Sequence, residues 1–246
     1  QLTGNEARIA ITGELIIDKG LTFKHSGSSK HELFLFNQED TNGFGKVHIN
    51  GGEIAGDSPI LFGNLRLSSG SKVTLSNDII VYRNLELSSG NLDLNAQKLS
   101  LFKEDGALGL FQADITNETE NTYIYDSQLG GTIATNFKNP FNVLSYKPPG
   151  ALKKQPNTTF GNVGAIVGTS NYAQGIEISR VYGVQYIDNS FNKYFLIKPS
   201  GTITDPKLTL NYFNRDKPAS STPANYRIFR AATDANTNYT PAITAV

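Results

Sequence analysis

Short runs in which apolar and polar residues alternate fill the first half of the chain. Leu15 and Ile17 alternate with polar residues in ELIID, and Val47 and Ile49 do so in KVHIN. Alternation over about four to six residues is typical of a β-strand with one buried face. Most of these runs are followed by small polar residues and glycine, which suit tight turns. The pattern therefore predicts many short strands joined by turns.

The segment NLRLSSG beginning at Asn64 is nearly repeated as NLELSSG beginning at Asn84, twenty residues later. The preceding block, from Lys46, begins eighteen residues before Asn64. Periods near twenty residues indicate stacked units that are too small to bury their own apolar faces, as in a parallel β-solenoid. The alternative is an antiparallel meander, because SSG also suits a hairpin turn. Near-identity of consecutive blocks favours the solenoid, since matching residues on parallel strands meet the same environment.

Stacking of the two repeats would place their leucines inside and the intervening residues outside. Leu65 would lie beside Leu85, while Arg66 and Glu86 would be neighbours of opposite charge on the outer face. The residues predicted to form the structural repeat are Leu65, Leu67, Gly70, Leu85, Leu87 and Gly90.

The repeat is lost after residue 104, and other patterns follow it. Thr122–Thr135 has two apolar runs around Gly130–Gly131, which predicts a hairpin. Asn139–Thr159 contains four prolines, which disfavour regular strand pairing. The second segment is expected to be either a connection between domains or an exposed loop.

From Phe160 onward, apolar runs are separated by Gly, Asn, Asp and Pro, and aromatic residues supply the bulky side chains because the chain has no Trp. This pattern of short apolar runs and turn-forming residues predicts an antiparallel β-sandwich. The fold expected for the whole chain is all-β, with a parallel β-solenoid-like N-terminal region followed by that sandwich. The predicted divisions are a repeat region at 1–112, a hairpin and Pro-rich connection at 113–158, and an Ig-like sandwich at 159–246.

Composition excludes several functional classes. Among 246 residues, 22 are basic and 22 acidic, and no block of like charges occurs, which argues against nucleic-acid partners. No apolar run reaches the about eighteen residues that a membrane-spanning helix needs. The absence of cysteine removes disulfides, thiolate nucleophiles and cysteine zinc sites. Methionine is also absent, so we expect a processed product or a segment of a longer chain.

Five stretches of the second half carry a family resemblance: FGNVGAIVG, ISRVYGVQYI, NKYFLIKPSG, PKLTLNYFNRD and NYRIFRA, between Phe160 and Arg230. They resemble, in order, the patterns FG..G..I, R..G, SI.RYY.I.P, L...L.F.Y.D.EL and L.LYR of large secreted proteins of Bacteroidota. Upstream, GNLDLNAQKLSL and TYIYDSQLGGTIAT resemble the β-repeat that precedes this module. The resemblance spans about two thirds of the chain. Lys193 stands where that family usually has Arg, and its acidic turn is reduced to Asn214–Asp216.

The resemblance implies a location for the protein and a route of export. Proteins of this kind are commonly exported by the type IX secretion system, so the expected location is extracellular or on the bacterial cell surface. The expected partners are translocon or other cell-surface proteins, and polysaccharide is a further candidate. Such cargo carries a C-terminal sorting domain, so for a sequence that ends at Val246 the resemblance implies the N-terminal part of a longer surface protein or a protein trimmed after export.

Candidate chemistry in the sequence is sparse. His25 and His31 lie near acidic residues, but their spacing matches no recognised metal motif. The alternating oxygen side chains of Asp234–Asn238 lack the Gly and Glu of a calcium loop. A solenoid glycan enzyme needs paired carboxylates on one outer face. The outward candidates are Arg66, Lys72, Arg83, Glu86 and Asp93, in which no acidic pair recurs at the repeat period.

The sequence therefore predicts a non-enzymatic, adhesin-like structural or binding protein without catalytic residues, cofactor or metal. The alternative is a glycan-active β-solenoid enzyme or its carbohydrate-binding accessory module.

Overall fold

The protein is mostly β-structure. The computed structural model describes residues 8–10, 14–17, 22–25, 34–36, 46–49, 51–56, 59–68, 72–105, 109–138, 160–168, 171–172, 175–183, 193–199, 203–204, 207–217, 227–230 and 240–244. Short 3-10 helices occupy Phe160–Asn162 and Asn214–Asp216.

The strands are numbered in chain order over the described residues. They are β1 (Arg8–Ala10), β2 (Glu14–Ile17), β3 (Thr22–His25), β4 (Phe34–Phe36), β5 (Lys46–Ile49), β6 (Gly52–Gly56), β7 (Ile60–Leu67), β8 (Lys72–Leu75), β9 (Ile79–Leu87), β10 (Asn91–Asp93), β11 (Lys98–Ser100), β12 (Phe102–Asp105), β13 (Gly109–Gln112), β14 (Asp114–Thr116), β15 (Ile124–Tyr125), β16 (Thr132–Lys138), β17 (Ala165–Gly168), β18 (Asn171–Tyr172), β19 (Gly175–Tyr182), β20 (Lys193–Pro199), β21 (Ile203–Thr204), β22 (Lys207–Leu210), β23 (Arg227–Arg230) and β24 (Thr240–Thr244).

Parallel pairings dominate the strands up to β16 and fall into three sets. The first set runs β1-β4-β7-β9-β11-β16. The second joins β2, β5, β7, β9 and β14. The third runs β3-β6-β8-β10-β15. Strands β7 and β9 belong to two sets, and their register shifts between Phe62 and Asn64, so each long strand passes from one set to the next.

The two copies of the repeat pair in parallel and in register. Leu65 pairs with Leu85 and Leu67 with Leu87, and each of these side chains is at most 1% exposed. The predicted register of these leucines is confirmed, and the antiparallel pairing of these two strands is excluded. Of the two glycines in the predicted repeat, Gly90 is buried and Gly70 lies outside the described residues.

Inward aliphatic side chains form a contiguous core. In the second set, Ile115 continues the row of Leu65 and Leu85. In the third set, Leu92 lies between Val73 and Ile124. Complete burial of one such side chain stabilises the fold by about 1.5–3 kcal/mol. The same cluster extends to Ile176, Ile178 and Tyr182 along β19.

An antiparallel hairpin interrupts the repeat. Strands β12 and β13 pair with each other, and β14 then resumes parallel pairing with β9. The loss of the repeat pattern after residue 104 therefore marks an insertion, after which the stacking continues.

The hairpin expected around Gly130–Gly131 is wrong. Strands β15 and β16 flank these glycines, but β15 pairs with β10 and β16 pairs with β11, both in parallel. The physical reason is burial: Ile124 extends the row of Leu92, and Ile133 extends the row of Leu99. Because burial in these two rows stabilises the parallel pairings, β15 and β16 do not pair with each other as the two glycines suggested.

Apart from the β12–β13 hairpin, antiparallel pairing begins at β16 and continues towards the C-terminus. Strand β16 pairs with β19, and β19 pairs with β20, both antiparallel. The other antiparallel pairs are β17 with β22, β18 with β21 and β23 with β24. The sheet thus runs from the repeat strands into the last third of the chain. The division into three regions and the sandwich stay predictions, and the Pro-rich segment 139–159 lies outside the described residues.

Candidate functional site

Charged residues that point outward from the parallel strands pair with one another. Arg66 Nε lies 3.5 Å from Glu86 Oε1, and an Arg66 Nη donates to the Ser88 hydroxyl at 2.8 Å. Lys72 Nζ lies 2.8 Å from Asp93 Oδ2 across β8 and β10. The predicted proximity of Arg66 and Glu86 is confirmed. Opposite charges on neighbouring strands favour the observed register.

Asp93 is completely buried, although it belongs to the outward-pointing set. Its Oδ1 accepts hydrogen bonds from the backbone N–H groups of Asn95 (3.1 Å) and Ser127 (2.9 Å). Burial by itself would raise the pKa of Asp93, but the hydrogen bonds from Lys72, Ser127 and Asn95 hold that pKa below its ordinary value. The carboxylate thus fastens the turns that follow β10 and β15.

A groove of about 570 Å³ opens where parallel pairing gives way to antiparallel pairing. Its volume lies in the range of small-ligand sites. The lining residues come from β14 and the loop after it, the turn before β17, β17, β19, β20, β22 and the turn after β22. They are Ile115, Asn117, Glu118, Asn162, Gly164, Ala165, Ile166, Arg180, Lys193, Leu210, Asn211, Tyr212 and Phe213.

A buried ion pair lies in the floor of this groove. The two terminal nitrogens of Arg180 donate to the two carboxylate oxygens of Glu118, at 2.9 and 3.1 Å. The side chains are 1% and 9% exposed. Burial alone would lower the pKa of Arg180, but Tyr182 and Glu118 outweigh it and raise the pKa overall. Arg180 Nε has no hydrogen-bond acceptor among the described residues, so Glu118 is its main compensation.

A second ion pair lies beside the first. Lys193 Nζ is 2.5 Å from Asp216 Oδ2, and the backbone N–H of Phe213 donates to the same oxygen at 2.9 Å. Burial, followed by repulsion from Arg180, lowers the pKa of Lys193, and Asp216 opposes this shift. Arg180, Lys193 and Glu118 therefore line the floor, and Asp216 pairs with Lys193 from outside the lining.

The rim of the groove is neutral and exposed. It consists of three asparagines, Asn117, Asn162 and Asn211, and the ring of Tyr212. Asn117 and Asn162 have positive φ values of 62° and 56°, a conformation that asparagine tolerates better than most residues. Tyr212 is 42% exposed, and it is one of the exposed large apolar side chains of the described chain.

A clamp holds the loop after β14 against the turn after β22. The Arg215 guanidinium lies 3.8 Å from the ring centroid of Tyr123 and 4.2 Å from that of Phe213. Arg215 also donates to Thr119 O at 2.7 Å, and Asn214 N donates to Glu120 at 2.6 Å. Stacking of a guanidinium between two rings contributes on the order of 0.5–2 kcal/mol per contact. These contacts fix one side of the groove to the other.

Several residues that carried the family resemblance meet at this groove. Arg180 of the R..G pattern, Lys193 and Asp216 all belong to the floor network. Gly164 of the FG..G..I pattern lines the groove with φ +96°. Gly183 packs closely on Tyr194, since a Cβ there would lie 2.9 Å from the ring. Residues from separate stretches of sequence therefore form one local structure.

Sequence reasoning missed the buried pair, although a signal was present. Ile176, Ile178, Arg180 and Tyr182 alternate on one face of β19, and all four are buried. A charged residue in phase with an apolar alternation indicates a buried ion, because an unpaired charge there would be very costly. Its partner Glu118 lies 62 residues away and carries no comparable local signal.

Other candidate residues fall outside the described side chains. The side chain of His25 and the whole of His31 are among them, as is the Asp234–Asn238 segment. In the described part of the chain, no three His, Cys, Asp or Glu residues are grouped as a metal site requires. No helix within these residues has the length and apolar character to cross a membrane.

Comparison of the chain with protein-family models, curated proteins and solved structures found no match in any of the three.

Glu118→Gln is expected to destabilise the protein by about 3–5 kcal/mol, because it leaves Arg180 charged, buried and unpaired. Chemical denaturation followed by circular dichroism measures this loss. Glu120→Gln is the matched control: its side chain is 44% exposed, and it faces Arg215 at 3.8 Å. That control is expected to lose less than about 1 kcal/mol. Equal losses in the two variants would contradict the assigned role of Glu118.

Asp93 is expected to stabilise the folded protein at neutral pH and to lose this stabilising effect in acid. Its folded-state pKa lies below the ordinary value of 3.8, so its contribution is complete above that value and is lost as pH falls through the lower folded-state pKa. Thermal unfolding of wild type and Asp93→Asn from pH 7 down to pH 2 tests this. The difference in Tm between them should shrink as pH falls. A constant or growing difference would show that the Asp93 carboxylate is not held ionised.

Proposed function

We propose that this chain is a non-enzymatic, adhesin-like protein of the bacterial cell surface, in which a stack of β-strands presents binding surfaces. The observation that carries the proposal is the parallel, in-register pairing of successive repeats in three sets of strands. Such pairing favours a three-sided β-solenoid, in which each coil buries its apolar face only against its neighbours. A stack of this kind gives length and stiffness, which suit a stalk or a platform.

The last third of the chain complements this proposal. Strands β19 and β20 extend the sheet with antiparallel pairing, and the Tyr182 hydroxyl donates to Ile124 O on β15 at 2.7 Å. We infer that these strands close one end of the solenoid and belong to an antiparallel β-sandwich. An end closed in this way would be protected from pairing with other chains.

The family resemblance is the basis for the proposed location of the protein. Secreted Bacteroidota proteins with similar strand patterns leave the cell through type IX secretion. We therefore propose the same route, with translocon or other surface proteins as partners during or after export. Binding to polysaccharide is the proposed activity at the destination.

The alternative is a glycan-active β-solenoid enzyme or its carbohydrate-binding accessory module. The groove is large enough for a glycan, which favours this alternative. The carboxylates at the groove are paired with cations of the protein, which favours binding over catalysis. Glu118 accepts two hydrogen bonds from Arg180, and Asp216 is paired with Lys193. A glycosidase needs two carboxylates that flank the scissile bond, and both of these carboxylates are instead engaged by cations of the protein.

Incubation of the purified chain with a panel of insoluble bacterial and plant polysaccharides separates these functions. The proposal predicts that protein is retained on at least one polysaccharide or on intact bacterial cells, with no release of reducing ends above a heat-denatured control. Release that grows with time and with protein concentration would overturn the non-enzymatic assignment.

A further inference from the structure

The groove between β14, β17, β19 and β22 has a floor whose charges cancel. Arg180 and Glu118 line the floor as an ion pair of 2.9 Å, and Lys193, which also lines it, is neutralised at 2.5 Å by Asp216 from outside the lining. All four side chains are at most 14% exposed. An anionic ligand would meet the carboxylates together with the cations, and a cationic ligand would meet the reverse. The electrostatics of the floor therefore favour a neutral ligand.

The rim supplies the groups that a neutral polar ligand needs. Asn117, Asn162 and Asn211 are exposed, and an asparagine amide offers both donors and acceptors. Sugar hydroxyls also donate and accept, so they can pair with these amides; Asn162 Nδ2 already donates to Ile115 O at 3.0 Å, and its amide oxygen is the acceptor that it offers a ligand. Tyr212 adds an exposed aromatic ring against which the apolar face of a pyranose can pack. Lys217 Nζ lies over one face of that ring, 5.4 Å from its centroid, so the platform for a sugar is the opposite face.

Peptide ligands fit these observations less well. Peptides commonly bind by pairing with an open strand edge or by inserting apolar anchors. Along this groove β17 and β22 pair with each other, and Asn211 N donates to Gly164 O at 2.7 Å. The exposed groups at the rim are therefore mainly side-chain amides and a phenol.

We propose that this groove binds a short stretch of a neutral polysaccharide, with Tyr212 as the stacking platform and the three asparagines as hydroxyl partners. This inference rests on the proposed surface-binding function and deepens it, because it names the site and the class of ligand. The volume of about 570 Å³ is large enough for a few sugar units. The floor network acts indirectly, by holding the loops that carry the rim residues.

Isothermal titration calorimetry of the full chain tests the proposal with defined probes. The neutral probes are hexasaccharides of glucose, mannose and xylose, and the acidic probe is a hexamer of galacturonic acid. At least one neutral probe is expected to bind with a Kd of about 10 μM to 1 mM, equivalent to about 4–7 kcal/mol. The acidic probe is expected to bind at least about tenfold more weakly than that neutral probe.

Point variants locate the binding in the groove. Tyr212→Ala and Asn211→Ala are each expected to weaken binding about tenfold or more, whereas Tyr212→Phe keeps the ring and should stay within about threefold of wild type. The matched controls are Asn121→Ala and Leu129→Ala, which are exposed and do not line the groove. Both controls should bind as wild type does, and circular dichroism should show all variants folded.

Any one of three titration results would overturn the groove proposal. They are binding of no neutral probe, preference for the acidic probe, and undiminished binding in Tyr212→Ala and Asn211→Ala. Displacement of a bound sugar by an unrelated peptide at equal concentration would indicate a peptide groove and would also overturn it. Failure here is separable from failure of the proposed function. Retention on cells or polysaccharide that persists in the rim variants leaves the surface-binding role intact, whereas polysaccharide turnover removes that role.

Discussion

Burial of inward aliphatic side chains between successive parallel strands is the interaction on which the rest of the structure depends. A single block of about twenty residues has too few apolar side chains to bury its own surface. Leu65 and Leu85 lie in register on adjacent strands and bury each other, and Ile115 continues their row. Because the side-chain period of a strand is two, a slip of one residue would expose the whole row. The outward pairing of Arg66 with Glu86 agrees with the same register.

The candidate site arises where this stacking meets the antiparallel strands. Strand β19 joins its antiparallel neighbour β16 and brings Arg180 into the buried region. A buried guanidinium requires a carboxylate, which the loop after β14 provides as Glu118. Lys193 and Asp216 repeat this arrangement alongside. The ion pairs therefore hold the loops in place, and the asparagines and Tyr212 of the rim remain exposed.

Much of the β-structure could be predicted from the sequence, because alternation and period are local signals. The stacking of Leu65 on Leu85 followed from both. The pairing of β15 and β16 did not, because Gly130–Gly131 looks like a hairpin turn while the true partners are β10 and β11. The groove was beyond prediction for a related reason. Its ion pairs join residues 62 and 23 positions apart, and only Arg180 carries a local sign of burial.

Disulfide cross-linking measures the central register directly, and the absence of cysteine from the chain makes it unambiguous. Arg66→Cys combined with Glu86→Cys places two thiols on outward positions of adjacent parallel strands, about 4.8 Å apart at Cα. That separation is compatible with a disulfide. Parallel stacking predicts that mild oxidation joins these two residues within one chain while the circular dichroism spectrum stays that of the wild type. Absence of this disulfide in the folded protein, with a disulfide forming instead in an Arg66→Cys and Thr74→Cys pair on either side of the SSG segment, would contradict the stacked arrangement.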